Sequence, residues 1–306
     1  MEGSNMPYIP KGYVGENLLE GCSDLHVHAC PEIVPGPVDD VTTANLARDL
    51  GMKALVLKPF LWHTVRTAQL VESIVSGIKV YGSLLLNVNM GGLDPSLVDA
   101  AGRLGAKVVW MPTWSAENDL KRGGFSKRFK LYVPLLDRYP VQGLSAVTEK
   151  GSLRPEVVDI IRIAKQYDMI LCTGHISVYE SKCLAKEAQS CGFKKLVFSH
   201  PLSKTIAASL QDIKEMAEMG TYIELCAITA FPMHQHVKMD QMVKAIAAAG
   251  YEHTILTSDA NLPYNPPGPV MMQMFLSSLI ELGIGREDLD QMAKRNPAYL
   301  LGLEWE

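Results

Sequence analysis

The stretch SDLHVHACPE, residues 23–32, decides between the two folds open to this chain. It reads as a short strand that runs into a turn without a single glycine. An open doubly wound sheet places a glycine-rich phosphate loop at that first strand-to-helix turn. Here histidine, cysteine and proline stand there instead.

Outward from this stretch the chain keeps one rhythm. Apolar strand candidates fall at 22–28, 53–58, 79–87, 106–111, 169–175, 194–200, 221–226 and 254–259. Amphipathic helical periodicity fills 38–50, 64–76, 95–104, 155–167, 178–191, 210–219 and 240–249. Gly51, Gly77, Gly105, Gly192, Gly220 and Gly250 each follow a helical stretch, as left-handed caps do. Eight near-continuous apolar strands alternating with helices predict a closed parallel (β/α)8 TIM barrel, one domain over 22–306.

Two segments interrupt the rhythm. Residues 1–21 form an N-terminal extension expected to close one end of the barrel. Residues 112–153 are a long insertion after strand four, with a basic tract (Lys121, Arg122, Lys127, Arg128, Lys130) and a hairpin candidate at 143–153. An insertion there lies on the catalytic face and is a candidate lid, expected to be poorly packed.

Bulk properties narrow the function. With 306 residues, 47% hydrophobic, the chain has material for a large core. A net charge of -4 favours neither nucleic acid nor an anionic membrane. No apolar run approaches a bilayer's thickness, and the first residues lack a signal-peptide pattern. Six cysteines without CxxC spacing fit reduced thiols and a cytoplasmic location. A small-molecule substrate is the expected partner, with homo-oligomerisation open.

The chemistry gathers at strand ends. His26 and His28 are two apart on strand one and share a face, with Leu25 and Val27 expected to turn towards the helices. Strand five closes on His175, strand six on His200 and strand eight on Asp259. All five lie at the C-terminal end, where such barrels carry their sites. Imidazoles with a carboxylate suit one or two divalent transition metal ions, Zn first, with Mn, Fe, Co and Ni also compatible. His63, His234, His236 and His253 lie outside this pattern, His234 and His236 nearest to it.

The set HxH, His, His and Asp on strands one, five, six and eight resembles the amidohydrolase superfamily, over about residues 22–302. GHIS (174–177), SHPL (199–202) and SDAN (258–261) look like its strand-five, six and eight signatures, nearest a phosphotriesterase-like branch. The resemblance implies that His26, His28 and Asp259 bind a more buried metal and that His175 and His200 bind an outer one. It also implies a bridging carboxylated lysine or glutamate at the end of strand four. That strand ends VVWMPTW (108–114) and has neither. Lys58, ending strand two in LVLKPF (55–60), and Glu149, in the insertion, are the two substitutes.

The expected reaction is hydrolysis. A metal-bound hydroxide attacks the carbonyl of an amide, cyclic amide, lactone or ester, or a phosphoester, in a small, partly apolar molecule. Asp259 is the expected proton acceptor, with Lys58 and His200 as further catalytic candidates. Phe60, Trp62, Trp110, Trp114, Phe231 and Tyr264 are candidate pocket walls, and Arg66 and the insertion's basic residues are the nearby cations. The alternatives are a one-metal decarboxylase on the same scaffold and a non-catalytic metal-binding barrel.

Overall fold

A computed structural model describes residues 17–231 and 237–304. Eight strands, β1 (Ser23–Val27), β2 (Ala54–Leu57), β3 (Lys79–Leu85), β4 (Val108–Trp110), β5 (Ile170–Cys172), β6 (Leu196–Phe198), β7 (Tyr222–Cys226) and β8 (Thr254–Thr257), lie in the order of the chain. Each consecutive pair is parallel. The seam between β8 and β1 is stitched rather than laddered. The Asp259 N–H donates to His26 O at 3.0 Å, and the Asp24 carboxylate accepts from the Ser258 N–H at 3.2 Å. The fold is thus a nearly closed (β/α)8 barrel, as the apolar rhythm predicts.

One strand departs from simple alternation. Asp24 pairs with Leu55 and Val27 with Leu57, so two residues of β1 face the single Val56. This is a β-bulge, which re-aims side chains near active sites. Its effect falls on Leu25, expected on the helix side. Leu25 instead belongs to the inner cluster with Ala54, Val56, Leu85, Val108 and Trp110. Val27 packs, as expected, in the outer cluster between strands and helices.

The helices match the periodic stretches to within two residues at either end, for example Pro95–Leu104, which ends on Gly105 at φ 95°. Helix Gly268–Glu281 is absent from the sequence reading because MMQMFLSSLI (271–280) is apolar nearly all round and shows no helical stripe. The expectation for residues 1–21 lies mostly outside the described residues. Leu18 and Leu19 are buried in the outer cluster. It is Leu300 and Leu301, from helix Asn296–Leu301, that pack against the inner cluster.

The insertion is fastened rather than loose. It forms three short helices, Glu117–Arg122, Phe125–Phe129 and Leu135–Arg138. Trp114 and Phe129 join Val34, Phe60 and Leu262 in a buried cluster of their own. Buried Asn87, after β3, accepts from the Thr113 and Ser115 N–H groups and so fixes the first turn. Glu180 accepts from the Ala146 N–H at 2.8 Å and the Ser145 hydroxyl at 2.7 Å, which fixes the far end. Buried carboxylates and amides need such partners, and here those partners are insertion backbone. The hairpin candidate is reduced to one antiparallel bridge, Val147 to Leu153.

Candidate metal centre

The five ligand-type residues converge at one end of the barrel: His26 is the last but one residue of β1, and His28, His175, His200 and Asp259 lie one to three positions beyond the ends of β1, β5, β6 and β8. His26 Nε2 lies 3.1 Å from Asp259 Oδ1, and His28 Nε2 lies 3.3 Å from the same oxygen. The His200 ring stands 5.9 Å from that of His26 and 5.0 Å from that of His175, centroid to centroid. His200 and Asp259 both have positive φ, 28° and 49°. Left-handed backbone costs a non-glycine residue energy and concentrates at functional sites. Gly174, just before His175, has φ 57°, and a Cβ there would strike the backbone carbonyls of Met111 and Pro112. The end of β5 can therefore lie tight against the end of β4.

Two carboxylates that the sequence reading passed over hold the imidazoles. Glu224 Oε1, on β7, lies 2.9 Å from His26 Nδ1. Asp119 Oδ2, in the insertion, lies 2.6 Å from His175 Nδ1. A carboxylate can only accept, so in each case Nδ1 is the donor, and Nε2 is the nitrogen left to face a cation. That is the arrangement of metal-ligating histidines. Glu224 was detectable as a lone charge inside the apolar run TYIELC (221–226), which must be paired when buried. Asp119 also accepts from the Phe125 and Ser126 N–H groups, so one carboxylate caps an insertion helix and orients a site histidine.

The donor set fits a divalent cation. His26 Nε2 and His28 Nδ1 are buried without a hydrogen-bond partner. Burial opposes a charge on His26, yet Asp259 and Glu224 outweigh it and lift this imidazole to about 9. Burial and Lys58 push His28 down to about 3. Burial opposes the Asp259 charge too, but His26 and His28 hold its carboxyl well below the usual range. Two carboxylates around one imidazole thus retain a positive charge where a cation would sit. Cys226 adds a sulfur, since ligand atoms of His26, Cys226 and Asp259 lie within 4.8 Å of one another. Its Sγ is 3.8 Å from His26 Nδ1, the nitrogen engaged by Glu224. Burial raises its thiol well above the ordinary value, and it packs beside the set as a thiol.

Lys58 Nζ lies 3.5 Å from His28 Nε2 and 4.9 Å from the centroid of the Trp110 ring. Burial lowers its pKa, opposed by Asp259 and Glu224. Glu149 is exposed, in a turn closed by the Gly151 N–H to Thr148 O bond, and does not line the cavity. Of the two substitutes for a strand-four bridge, only Lys58 is at the centre.

A cavity of about 250 Å³ opens over these residues. Its floor is His28, Lys58, His175, His200 and Asp259, and its walls include Phe60, Phe125, Ile228, Thr113, Thr229 and Asn261. Of the six aromatic candidates only Phe60 lines it, stacked on His28 with ring centroids 4.1 Å apart. Trp110 lies beneath Lys58, Trp114 stacks on Phe129, Phe231 packs on the outer cluster, and Trp62 and Tyr264 are exposed. Arg128 is the one member of the basic tract at the cavity, and Arg66 lines a separate surface depression. His253 packs near Tyr222 at the far end of β8, and His234 and His236 lie outside the described residues. All six cysteines are free thiols. No helix among the described residues is long and apolar enough to cross a membrane.

Comparison with known proteins agrees with this architecture. The family described as "Family of unknown function (DUF6282)" matches residues 21–224. No curated protein matches the sequence. Among solved structures, an amidohydrolase from Pseudomonas aeruginosa superposes with a TM-score of 0.64 at 9% identity, covering 93% of this chain and 96% of that one. An organophosphorus hydrolase from Deinococcus radiodurans gives 0.56 at 13% identity, covering 94% of each chain. A 2,6-dihydroxybenzoate decarboxylase from Rhizobium gives 0.55 at 10% identity, covering 92% and 99%. These likenesses, at 9–13% identity, show a shared barrel fold.

Proposed function

The chain belongs to the DUF6282 family, and from that premise, its amidohydrolase-type barrel and its donor set we propose that it is a metal-dependent hydrolase of a small molecule. The observation that carries this reading is the convergence of His26 and His28 Nε2 on Asp259 Oδ1, within 3.3 Å, at the mouth of the barrel. His26, His28 and Asp259 would hold the ion, with zinc the first candidate for such ligands. When bound, a divalent cation supplies a water of lowered pKa and polarises a carbonyl or phosphoryl oxygen.

The chain's own residues do the rest. Asp259, whose second oxygen is not shared with His26 and His28, accepts the proton of the attacking water and returns it to the leaving group. The Asn261 side-chain amide donates to Asp259 Oδ1 at 3.0 Å and keeps the carboxylate in its rotamer. Glu224 holds the tautomer of His26, and Asp119 that of His175. His200, which burial and then His175 keep neutral, faces the cavity as a ligand or as a donor to the developing oxyanion. Lys58 is the second cation of the floor. Amides, cyclic amides, lactones, esters and phosphoesters all suit this arrangement. Residues 112–153 cover the entrance as a lid whose fixed points are Asp119 and Glu180. A cytoplasmic location accords with the free thiols.

A one-ion decarboxylase is the second reading. It is favoured by one observation: neither a carboxylate nor a lysine stands at the end of β4, where a bridge between two ions belongs. Metal analysis together with a panel of chromogenic esters, lactones, amides and phosphotriesters tests the hydrolase. One to two equivalents of metal and turnover of at least one class are expected. Metal content near zero after supplementation, with no activation on adding metal, overturns it. Release of carbon dioxide without incorporation of water would mark the lyase.

A further inference from the structure

The imidazoles of the site are not all held in the same way. His26 donates from Nδ1 to Glu224 at 2.9 Å, and His175 from Nδ1 to Asp119 at 2.6 Å. His200 Nδ1 has the Ser203 hydroxyl at 3.5 Å, a longer and uncharged contact. His28 is the exception. Its Nδ1 is buried and has no hydrogen-bond partner among the described residues. An imidazole that is to ligate needs its ring fixed, and the usual means is a hydrogen bond at the far nitrogen.

What His28 has instead is a flat face against it. The Phe60 ring lies 4.1 Å away, centroid to centroid, at an interplanar angle of 11°. Stacking fixes the plane of a ring but leaves it free to turn within that plane. The remaining rotation is limited on the Nε2 side, where Asp259 Oδ1 stands at 3.3 Å and Lys58 Nζ at 3.5 Å. Phe60 is itself firmly placed. It is buried, and its N–H donates to Glu32 Oε1 at 2.8 Å, while Glu32 Oε2 accepts from the Ile33 N–H at 2.9 Å. Its ring also stacks on Phe125 of the insertion, 5.2 Å away at 19°. Phe125 begins the helix Phe125–Phe129, and Asp119 accepts from the first two N–H groups of that helix.

We infer that Phe60 is the positioning residue of His28, and that it does by ring stacking what Glu224 and Asp119 do by charge for His26 and His175. The insertion then reaches the site by two routes. One runs through the Asp119 carboxylate to His175, the other through the Phe125 and Phe60 rings to His28. Position 60 therefore needs a planar ring rather than apolar bulk, because an aliphatic side chain has no face to lay against the imidazole. This inference rests on the reading of His28 as a metal ligand, and metal binding by the wild type separates the two.

The test is the zinc affinity of the full chain by chelator competition, together with the visible absorption spectrum of the cobalt(II)-loaded protein, which reports ligand geometry and needs no turnover. Phe60→Leu is compared with Phe60→Tyr, which keeps the ring, and with Phe129→Leu, which removes a ring from the same buried cluster whose partners are Phe125 and Trp114. Circular dichroism checks each fold, and Phe60→Met takes the place of Phe60→Leu if that variant does not fold. Zinc binding is expected to weaken roughly tenfold or more in Phe60→Leu, with altered cobalt bands, as on losing an outer partner of a ligand. Phe60→Tyr is expected to keep the wild-type affinity and spectrum, and Phe129→Leu to lower Tm alone. Undiminished affinity with an unchanged spectrum in Phe60→Leu, or an equal loss in Phe60→Tyr or in Phe129→Leu, would overturn the positioning role while leaving the metal site standing. Wild type that binds neither ion would overturn the metal reading itself, and this inference with it.

Discussion

Asp119 Oδ2 lies 2.6 Å from His175 Nδ1, and so a residue of the insertion orients a residue of the barrel. The same carboxylate caps the backbone at Phe125 and Ser126. The insertion and the histidine cluster are therefore one mechanical unit. Asp119→Asn keeps the size of the side chain but removes the charge that holds the Nδ1–H. The expected loss is about 10- to 100-fold in metal affinity or turnover, the usual effect of removing an outer partner of a ligand. Competition with a chromogenic chelator measures the first. An unchanged affinity and rate would mean that His175 needs no orienting partner.

Asp259→Asn is expected to abolish most turnover without unfolding the chain. Asparagine tolerates the positive φ of 49° at this position, so the backbone has no reason to move. The amide cannot accept the proton, which costs about 100- to 10,000-fold where a general base is lost. The value of kcat/KM with an active substrate and a thermal melt together check it. A rate within twofold of wild type would assign the proton transfer to another group.

Lys58 has two roles open to it, and one variant separates them. As a carbamate it would bridge two ions; as an ammonium it would stabilise charge on the substrate beside one ion. Lys58→Ala, assayed with and without acetate, is expected to lose most of its activity in either case. Loss of metal with partial rescue by acetate indicates the bridge. Retained metal without rescue indicates the ammonium. Normal metal and a near-normal rate would remove Lys58 from the chemistry.

Away from the centre, Asp40 opens the helix Asp40–Asp49, and its carboxyl is raised to about 6 by burial and then by Asp39 and Glu32. A raised carboxyl pKa means that the folded state resists ionisation. Its cost is absent below the unfolded value near 3.8, grows between there and about 6, and is full above. Asp40→Asn is expected to raise Tm at pH 8 and to leave it unchanged at pH 3.5. A variant equally or less stable at pH 8 would show that the helix N-terminus gains more from the charge than burial loses.

The candidate ligands were legible because each lies at or near the end of an apolar strand, and strand ends of a barrel are where polar side chains meet. Glu224 was not, since it stands in the middle of β7 and pairs with a residue of another strand. Asp119 was hidden among the charged residues of ENDLKR (117–122), where nothing local distinguishes a buried aspartate from a solvated one. The same holds for Arg128, one of five cations in a short tract. Which of them faces inward depends on how helix Phe125–Phe129 lies on the barrel, a tertiary fact. The aromatic walls were over-read for a related reason: position after a strand places a ring near the mouth but does not choose its rotamer. The packed state of the insertion was missed because its anchors, Asn87 and Glu180, lie far outside it in the chain.

The bulge in β1 is a phase boundary in the chain. Before it, Asp24 turns to the seam, where its carboxylate takes the Ser258 N–H; beyond it, His28 faces the cavity. In an unbroken strand the two residues, an even number apart, would share one face. The supernumerary residue lets a single five-residue strand serve both closure and ligation. It also makes β1 a counting device. Were the same residues paired without the bulge, regular alternation would return either the carboxylate or the imidazole to the wrong side. The extra residue is thus as much a part of the site's construction as the side chains on either side of it.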